Sequence, residues 1–445
     1  MTRPAVTAAS PWTFPAPEVR PLANGATAWL FRLPGQHIAT FEVLLPTPLA
    51  AEPAEREGIA TVALHAVDEG THAHPDGAIG ELLEAQGATL HGSARYPYTT
   101  FGGQAPVGRL RQALPLFVEA LSQPAYAERD VAHHVEAQLA GHASRLASPG
   151  AAGKLAFRQA LYGADPREGR AGAGTPRTLT AISPEDVRAW HAATWLPDGA
   201  TLVLAGDLPA DLDLDAFLPW AGTPRDAAPI PAPASRPPRV VVVDHPGAVQ
   251  ATVILGTRTP GRRDPDWAAL RVAGHAVAGA FASRLNLELR ERLGYTYGIG
   301  GGFAPSVDEG LFSVSGSVRP EVAADAVARL VDGLRLADPF TDEEAADARR
   351  YLVSVAPLAN ETSADIVGQA TVLAASGLDP SYLARHFAHL AEITPADATE
   401  AFRRHVPADA LTIAVTGRAE ELVPALNGIG LTPEVVDLGD RAATA

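Results

Sequence analysis

Two stretches of this chain spell the same local structure about 211 residues apart. Residues 182–207 read ISPEDVRAWHAATWLPDGATLVLAGD, and residues 393–418 read ITPADATEAFRRHVPADALTIAVTGR. They align without a gap, Ile182 with Ile393, Pro184 with Pro395, Asp186 with Asp397, Asp198 with Asp409 and Gly206 with Gly417. In each copy Ser183 or Thr394 is placed to cap a helix whose first position is proline. An Asp-containing turn and an apolar run such as Thr201–Ala205 follow, which reads as a buried strand ended by glycine. A chain of 445 residues with this pattern is expected to form two similar α/β halves.

The joint between the halves is a run of prolines. Residues 223–238, TPRDAAPIPAPASRPP, hold six prolines and no periodic apolar pattern, so they predict an extended, semi-rigid linker. The expected division is therefore 1–222, a linker over 223–238, and 239–445, with a strand opening at Arg239-Val240-Val241-Val242-Val243-Asp244. In the first half, strands are expected over 27–33 and 38–46, helices over 57–70 and 74–86, a hairpin over 89–106, and amphipathic helices over 107–122 and 126–146. In the second, two strands are expected within 239–256, one helix over 265–293, strands over 295–304 and 310–318, and a helix over 319–336. Helices packed on a mainly antiparallel sheet in each half make the fold class α+β.

Composition removes several functions. Hydrophobic residues make up 47% and charged residues 19%, enough apolar surface for a sizeable core. A formal net charge of −16 repels phosphate backbones and anionic lipid, so neither nucleic acid nor a membrane is an expected partner. The chain has no cysteine, which excludes disulfides, thiolate zinc sites and cysteine nucleophiles. Met1-Thr2-Arg3-Pro4 leads into no apolar signal region, and no apolar run approaches a membrane span. A cytoplasmic protein is expected.

Residues 58–71 read GIATVALHAVDEGT, where Gly58, Ala60, His65, Gly70 and Thr71 match the pattern G-x-A-H-x-x-E-H-x-x-x-x-G-T. Residues 160–166, ALYGADP, and the second-half stretches PGAVQATVILG at 246–256 and DPDWAALRVAGHAVAGAFASRLNLELRERLGYTYG at 264–298 extend the match. The pattern S-R-L-x-x-x-L-R-E-x-x-G-Y-x-Y within the last is long and specific. With the repeat, nearly the whole chain resembles the pitrilysin/insulinase-type zinc peptidases (inverzincins). That resemblance implies two homologous domains, each a mainly antiparallel sheet covered by helices, in a clamshell arrangement that often includes a second chain.

The metal site of that family needs two histidines four residues apart, and a glutamate before the second as general base on the zinc-bound water. Here the first histidine position is Thr61 and the glutamate position is Leu64; only His65 remains. The third ligand, a glutamate on a later helix, falls by resemblance at about Gly141, between Ala140 and His142. No catalytic residue, metal ligand or cofactor is therefore expected in this chain, and zinc is expected in a partner. Two other groups hold metal-ligating side chains: His65, Asp68, Glu69, His72 and His74, and His133-His134-Val135-Glu136. The plainer readings are a polar helix end and a solvated helix face.

The resemblance also implies a substrate contact. In the family, an arginine and a tyrosine of the second domain touch bound peptide, and zinc-free partner subunits keep them. Here the matching residues are Arg290 and either Tyr295 or Tyr297. Arginine can bind a carbonyl or carboxylate in bidentate fashion, and a tyrosine hydroxyl can donate to an oxyanion. The alternative is a surface Arg–Glu pair and core tyrosines. Thr89–Arg95 stands where the family has its peptide-pairing edge strand, though without the usual Asn-Ala-x-Thr. Gly298–Gly302 lacks the Lys-Ser/Thr of a phosphate loop and reads as a close-packed or bulged strand. The leading expectation is a non-catalytic subunit of a heterodimeric zinc peptidase, with a homologous zinc-binding subunit and peptide as partners. The alternatives are a structural assembly protein of the same fold, and an active metallopeptidase with a rearranged metal site.

Overall fold

The computed structural model describes residues 12–223, 232–307 and 309–438. It contains two six-stranded sheets, each covered by helices, the α+β two-domain arrangement expected from sequence. The first sheet comprises β1 (Glu18–Pro21), β2 (Thr27–Arg32), β3 (Ile38–Leu45), β4 (Thr89–Ala94), β5 (Thr99–Pro106) and β6 (Thr201–Gly206), in the order β1-β2-β6-β3-β5-β4. Its helices are α1 (Ile59–Ala66), α2 (Ala78–Ala85), α3 (Leu110–Ser122), α4 (Glu128–Ala147), α5 (Pro149–Tyr162), the single turn α6 (Pro176–Leu179) and α7 (Pro184–Thr194).

The second sheet comprises β7 (Val240–Asp244), β8 (Ala251–Pro260), β9 (Ile299–Pro305), β10 (Glu309–Val318), β11 (Thr412–Gly417) and β12 (Glu434–Val436), in the order β12-β7-β11-β8-β10-β9. With it go α8 (Trp267–Gly274), α9 (Arg284–Asn286), α10 (Ala323–Arg335), α11 (Asp342–Ser354), α12 (Ser363–Ala375), α13 (Tyr382–Glu392), α14 (Pro395–His405) and α15 (Ala419–Gly428). Both sheets are mixed. β2 pairs with β6, and β7 with β11 and β12, in parallel, while the remaining neighbours are antiparallel.

Both repeated stretches fold as helix, turn and strand. In α7 and α14 the cap residue, Ser183 or Thr394, accepts from the backbone N–H of Asp186 or Asp397, whose carboxylate accepts from the cap's own N–H. The strands that follow, β6 and β11, each lie third in their sheet. Residues 224–231 of the proline-rich joint lie outside the described residues, and 232–238 carry no regular structure before β7 begins at Val240.

The unbroken apolar runs of the central strands follow from burial on both faces. In β2, Ala28 and Leu30 enter one core while Trp29 and Phe31 enter another. In β6, Leu202 and Leu204 divide from Val203 and Ala205 in the same way. One face of the first sheet is covered by its own half. The other receives Ile366, Val367, Ala370 and Leu373 of α12, from the second half. The exchange is reciprocal: Ala152, Ala156, Phe157 and Ala160 of α5, from the first half, cover Val241, Val243, Ile254 and Ala414 of the second sheet. Polar contacts fasten this seam. Ser363 Oγ donates to the Ile38 carbonyl at 2.8 Å, and Gln36 Nε2 donates to that of Glu361 at 3.0 Å.

The expected helix over 265–293 is broken. α8 runs into a π-helical turn, His275–Gly279; the chain then opens at Ala280–Ser283, and α9 leads into a second π-helical turn, Leu287–Arg292. Asn286 pins the break to β9: its amide donates to the carbonyls of Ala280 and Ile299 (3.2 and 2.8 Å), and its Oδ1 accepts from the Ile299 N–H at 2.8 Å. The helices expected over 57–70 and 74–86 are shorter, ending as α1 and α2.

Candidate functional site

The helix that would carry a zinc motif begins at Gly58, whose φ of 99° is a left-handed conformation; a Cβ there would sit 2.7 Å from the Ala173 carbonyl oxygen. The entry of α1 is tied down from below. Glu52 Oε1 accepts from the N–H groups of Gly58 and Ala60 at 3.1 and 3.0 Å, and its Oε2 accepts from Arg167 Nε and Nη2 at 3.0 and 2.7 Å. Arg167 also donates to the Ala171 and Gly172 carbonyls, and Arg170 pairs with Glu57. The ALYGADP stretch thus leads into the arginine that holds the helix start.

Leu64 is 7% exposed and belongs to the core of the first half. It packs beneath the edge strand β4, where a Cβ on Gly92 would lie 2.5 Å from Leu64 Cδ1. Where the hydrolytic chemistry needs a carboxylate facing a zinc-bound water, this chain has a methyl group against a strand. The region of the third ligand offers Ala140, Gly141 and the buried His142. These residues do not fit a catalytic zinc.

His65 is exposed and stacks on His134 of α4, ring centroids 6.0 Å apart. His134 Nε2 lies 2.8 Å from Glu69 Oε1, so His134 is not the purely solvated residue its local sequence suggests, whereas His133 and Glu136 are exposed. Burial lowers the His65 pKa and the neighbouring His134 charge adds to that; burial raises that of Asp68. His74 Nδ1 contacts Glu119 Oε1 at 2.8 Å, which fixes the turn at Thr71. The sequence treats the two histidine groups separately; the fold joins them through His65, Glu69 and His134. Three possible ligand atoms converge elsewhere, and among the described residues only in the group Asp264, Asp266 and His405. There Asp266 Oδ2 already accepts from Arg404 Nη1 (2.6 Å) and contacts His405 Nε2 (2.9 Å), and Asp264 Oδ1 accepts from the Asp266 N–H.

The second constellation is built by the broken helix. The opening at Ala280–Ser283 turns Phe281 outward, 72% exposed, and the π-helical turn that follows sets the Arg290 guanidinium over its ring at 3.9 Å. The only carboxylate near Arg290 among the described residues is Glu291, at 3.6 Å. Strand β9 starts at Ile299, later than expected, so both tyrosines lie in the loop before it. Tyr295 donates its hydroxyl to Asp325 Oδ2 at 2.9 Å and leans on the core, whereas Tyr297 is 93% exposed. Nearby, Tyr351, 53% exposed, stacks on His275 with centroids 4.4 Å apart. The glycine-rich run forms the regular edge strand β9, paired to β10 from Ile299 to Pro305. In the first sheet the outer edge is β4, with Glu42 Oε2 3.7 Å from His91 Nε2.

Comparison with known proteins gives one consistent picture. The model of the Peptidase M16 inactive domain matches residues 181–352. Uncharacterized zinc proteases of Mycobacterium tuberculosis and Mycobacterium bovis are each 26% identical over 354 residues, covering 76% of this chain and 78% of theirs. One of Streptomyces coelicolor is 25% identical over 302 residues, covering 66% of each chain. Among solved structures, a peptidase M16 inactive domain from Pseudomonas fluorescens superposes with a TM-score of 0.83 at 24% identity, covering 90% of this chain and 98% of that one. A protease from Helicobacter pylori gives 0.81 at 16% identity, covering 90% and 99%. A chain of Complex III2 from Candida albicans gives 0.77 at 14% identity, covering 92% and 99%. At these identities the structural likeness concerns the fold.

Proposed function

Because this chain belongs to the pitrilysin/insulinase-type M16 peptidase family and carries its inactive-type domain, we propose that it is the non-catalytic subunit of a two-chain zinc peptidase, completing the chamber and helping to hold peptide. The observation that carries this reading is Leu64, packed under β4 where the general base would stand. The Arg290 guanidinium over the exposed Phe281 ring and the exposed hydroxyl of Tyr297 support the peptide-holding role. Tyr297 is preferred over Tyr295, whose hydroxyl is already given to Asp325. An arginine held over an aromatic ring can still offer N–H groups to a peptide carbonyl or terminal carboxylate. Zinc then belongs to the partner, a homologous chain with intact H-x-x-E-H, and a cytoplasmic location is part of the same proposal. No helix among the described residues is long and apolar enough to cross a membrane.

The test is co-purification with such a homologue, then kinetics on a flexible peptide. Arg290→Ala should leave the complex intact and lower kcat/KM by about 1–3 kcal/mol of transition-state stabilisation. Unchanged cleavage by an intact variant complex would make Arg290 structural. The fold likeness to a Complex III2 chain supports a second reading, an assembly protein without a peptidase role. Failure to form a complex with any intact homologue would favour it, and stoichiometric zinc in the pure chain would contradict both.

A further inference from the structure

In a chain of net charge −16, arginines readily find carboxylates, as Arg258, Arg284 and Arg404 do. Two part-buried arginines do not. Arg262 lies in the loop after β8, and Arg271 lies on α8. Among the described residues neither guanidinium has an ion-pair partner or donates a hydrogen bond, and the charge near Arg271 is that of Arg262 itself. The other ionisable groups beside them are His386, His275 and the phenols of Tyr382 and Tyr98; burial lowers the pKa of both histidines and raises that of both phenols, so none supplies a countercharge.

Around this pair lie nitrogens sealed from water without an acceptor: Arg262 Nε, Trp267 Nε1 and His386 Nε2. Trp267 and His386 are 2% and 7% exposed. Arg262 sits 5.8 Å over the Trp267 ring. Tyr382 stacks on His386 at 5.5 Å and donates its hydroxyl to the Arg262 carbonyl at 2.9 Å. Burial, then the charges of Arg271 and Arg262, push the His386 pKa down to about 3. Two unpaired guanidiniums and the orphaned ring nitrogens of Trp267 and His386 thus meet where α8, α13 and the β8–α8 loop pack, beside Tyr98 of the first half. Cost without compensation is the rule for such groups.

We propose that Arg262, Arg271, Trp267 and His386 form a binding site for a small oxyanion, a carboxylate or a phosphate, at the seam between the two halves. An oxyanion supplies the missing acceptors and the missing countercharge together, and a guanidinium can hold it with two parallel hydrogen bonds. The His386 tautomer that carries a proton on Nε2 donates to it.

Thermal unfolding of the full chain tests this, with inorganic phosphate or acetate titrated against chloride at constant ionic strength. A saturable rise in Tm is expected with at least one of them, and Arg262→Gln and Arg271→Gln should abolish it. A rise with phosphate alone identifies a phosphate site; a rise with acetate identifies a site for a carboxylate-bearing group. Without oxyanion, Arg271→Gln should unfold at or above the wild-type Tm, because it removes an uncompensated charge. Diffraction from crystals soaked in selenate gives a second readout that needs no variant, with an anomalous peak expected between the two guanidiniums. No saturable response to either anion, a response that both variants keep, or, where phosphate raises the Tm, selenate-soaked crystals without the peak would overturn the proposal.

Discussion

Glu52 accepts two backbone N–H groups at the start of α1 and the Nε and Nη2 donors of Arg167. Burial raises its pKa while Arg167 and the two amides lower it, and burial prevails. Such a knot adds little net stability, but it fixes where α1 begins and therefore that Leu64 faces β4. A clearer energetic signal comes from His191 of α7. It is buried, its Nε2 donates to the Leu121 carbonyl at 3.0 Å, and burial pushes its pKa from 6.5 to about 4. The folded state therefore prefers the neutral ring. That preference is fully present above the unfolded value of 6.5 and is lost as pH falls toward 4. Across that window His191 should contribute a slope of about 1.4 kcal/mol per pH unit. Urea melts at several pH values should show a shallower acid limb for His191→Gln, whose amide can make the same donation. An identical slope in wild type and variant would mean that His191 is not neutral in the native protein.

At the scale of elements, the exchanged helices α5 and α12 carry two interior glycines with opposite surroundings. A Cβ on Gly153 would lie 2.7 Å from Oγ1 of Thr416, which is fully buried in β11, whereas one on Gly368 meets nothing within 4 Å. Gly368→Ala should raise stability by about 0.5–1 kcal/mol through helix propensity. Gly153→Ala should lower it by about 1–2 kcal/mol despite the same gain, because α5 must shift off the second sheet. Calorimetric melts of the two variants should move in opposite directions; a shared direction would show that α5 does not depend on that close approach. This exchange was not legible in the sequence. The helices of 182–207 and 393–418, their caps and their strands could be read, because capping and apolar runs are local signals. The break at Ala280–Ser283 could not, because the residue that fixes it, Asn286, acts through β9. Nor could the meeting of His65 with His134, or of Glu52 with Arg167, which rests on contacts distant in sequence. Of the candidate site, the loss of the general base was written at position 64. What distinguishes Tyr295 from Tyr297 was not, since it depends on Asp325 of α10.

For the whole molecule, the exchange makes each half incomplete. Removing the second half strips α12 from the first sheet and exposes Trp29, Phe31, Val203 and Ala205. Removing the first half strips α5 from Val241, Val243 and Ile254. Exposed contiguous faces of this kind do not stay solvated as monomers. The two halves should therefore unfold together, and a hinge between them would have to pull large apolar side chains into water. Any closing of a peptide chamber then belongs between this chain and another, which is the arrangement the proposed partner role requires. A chain cut to residues 1–222 should be aggregated or lack fixed tertiary packing, and so should one cut to 239–445. Co-expressed, the two fragments should recover a complex with native near-UV circular dichroism, as elements exchanged across an interface can be supplied in trans. The intact chain should show one cooperative transition by calorimetry and by fluorescence alike. A 1–222 fragment that unfolds cooperatively on its own would show that α12 is an accessory cover, and would restore independent motion of the two halves as the way a chamber could open.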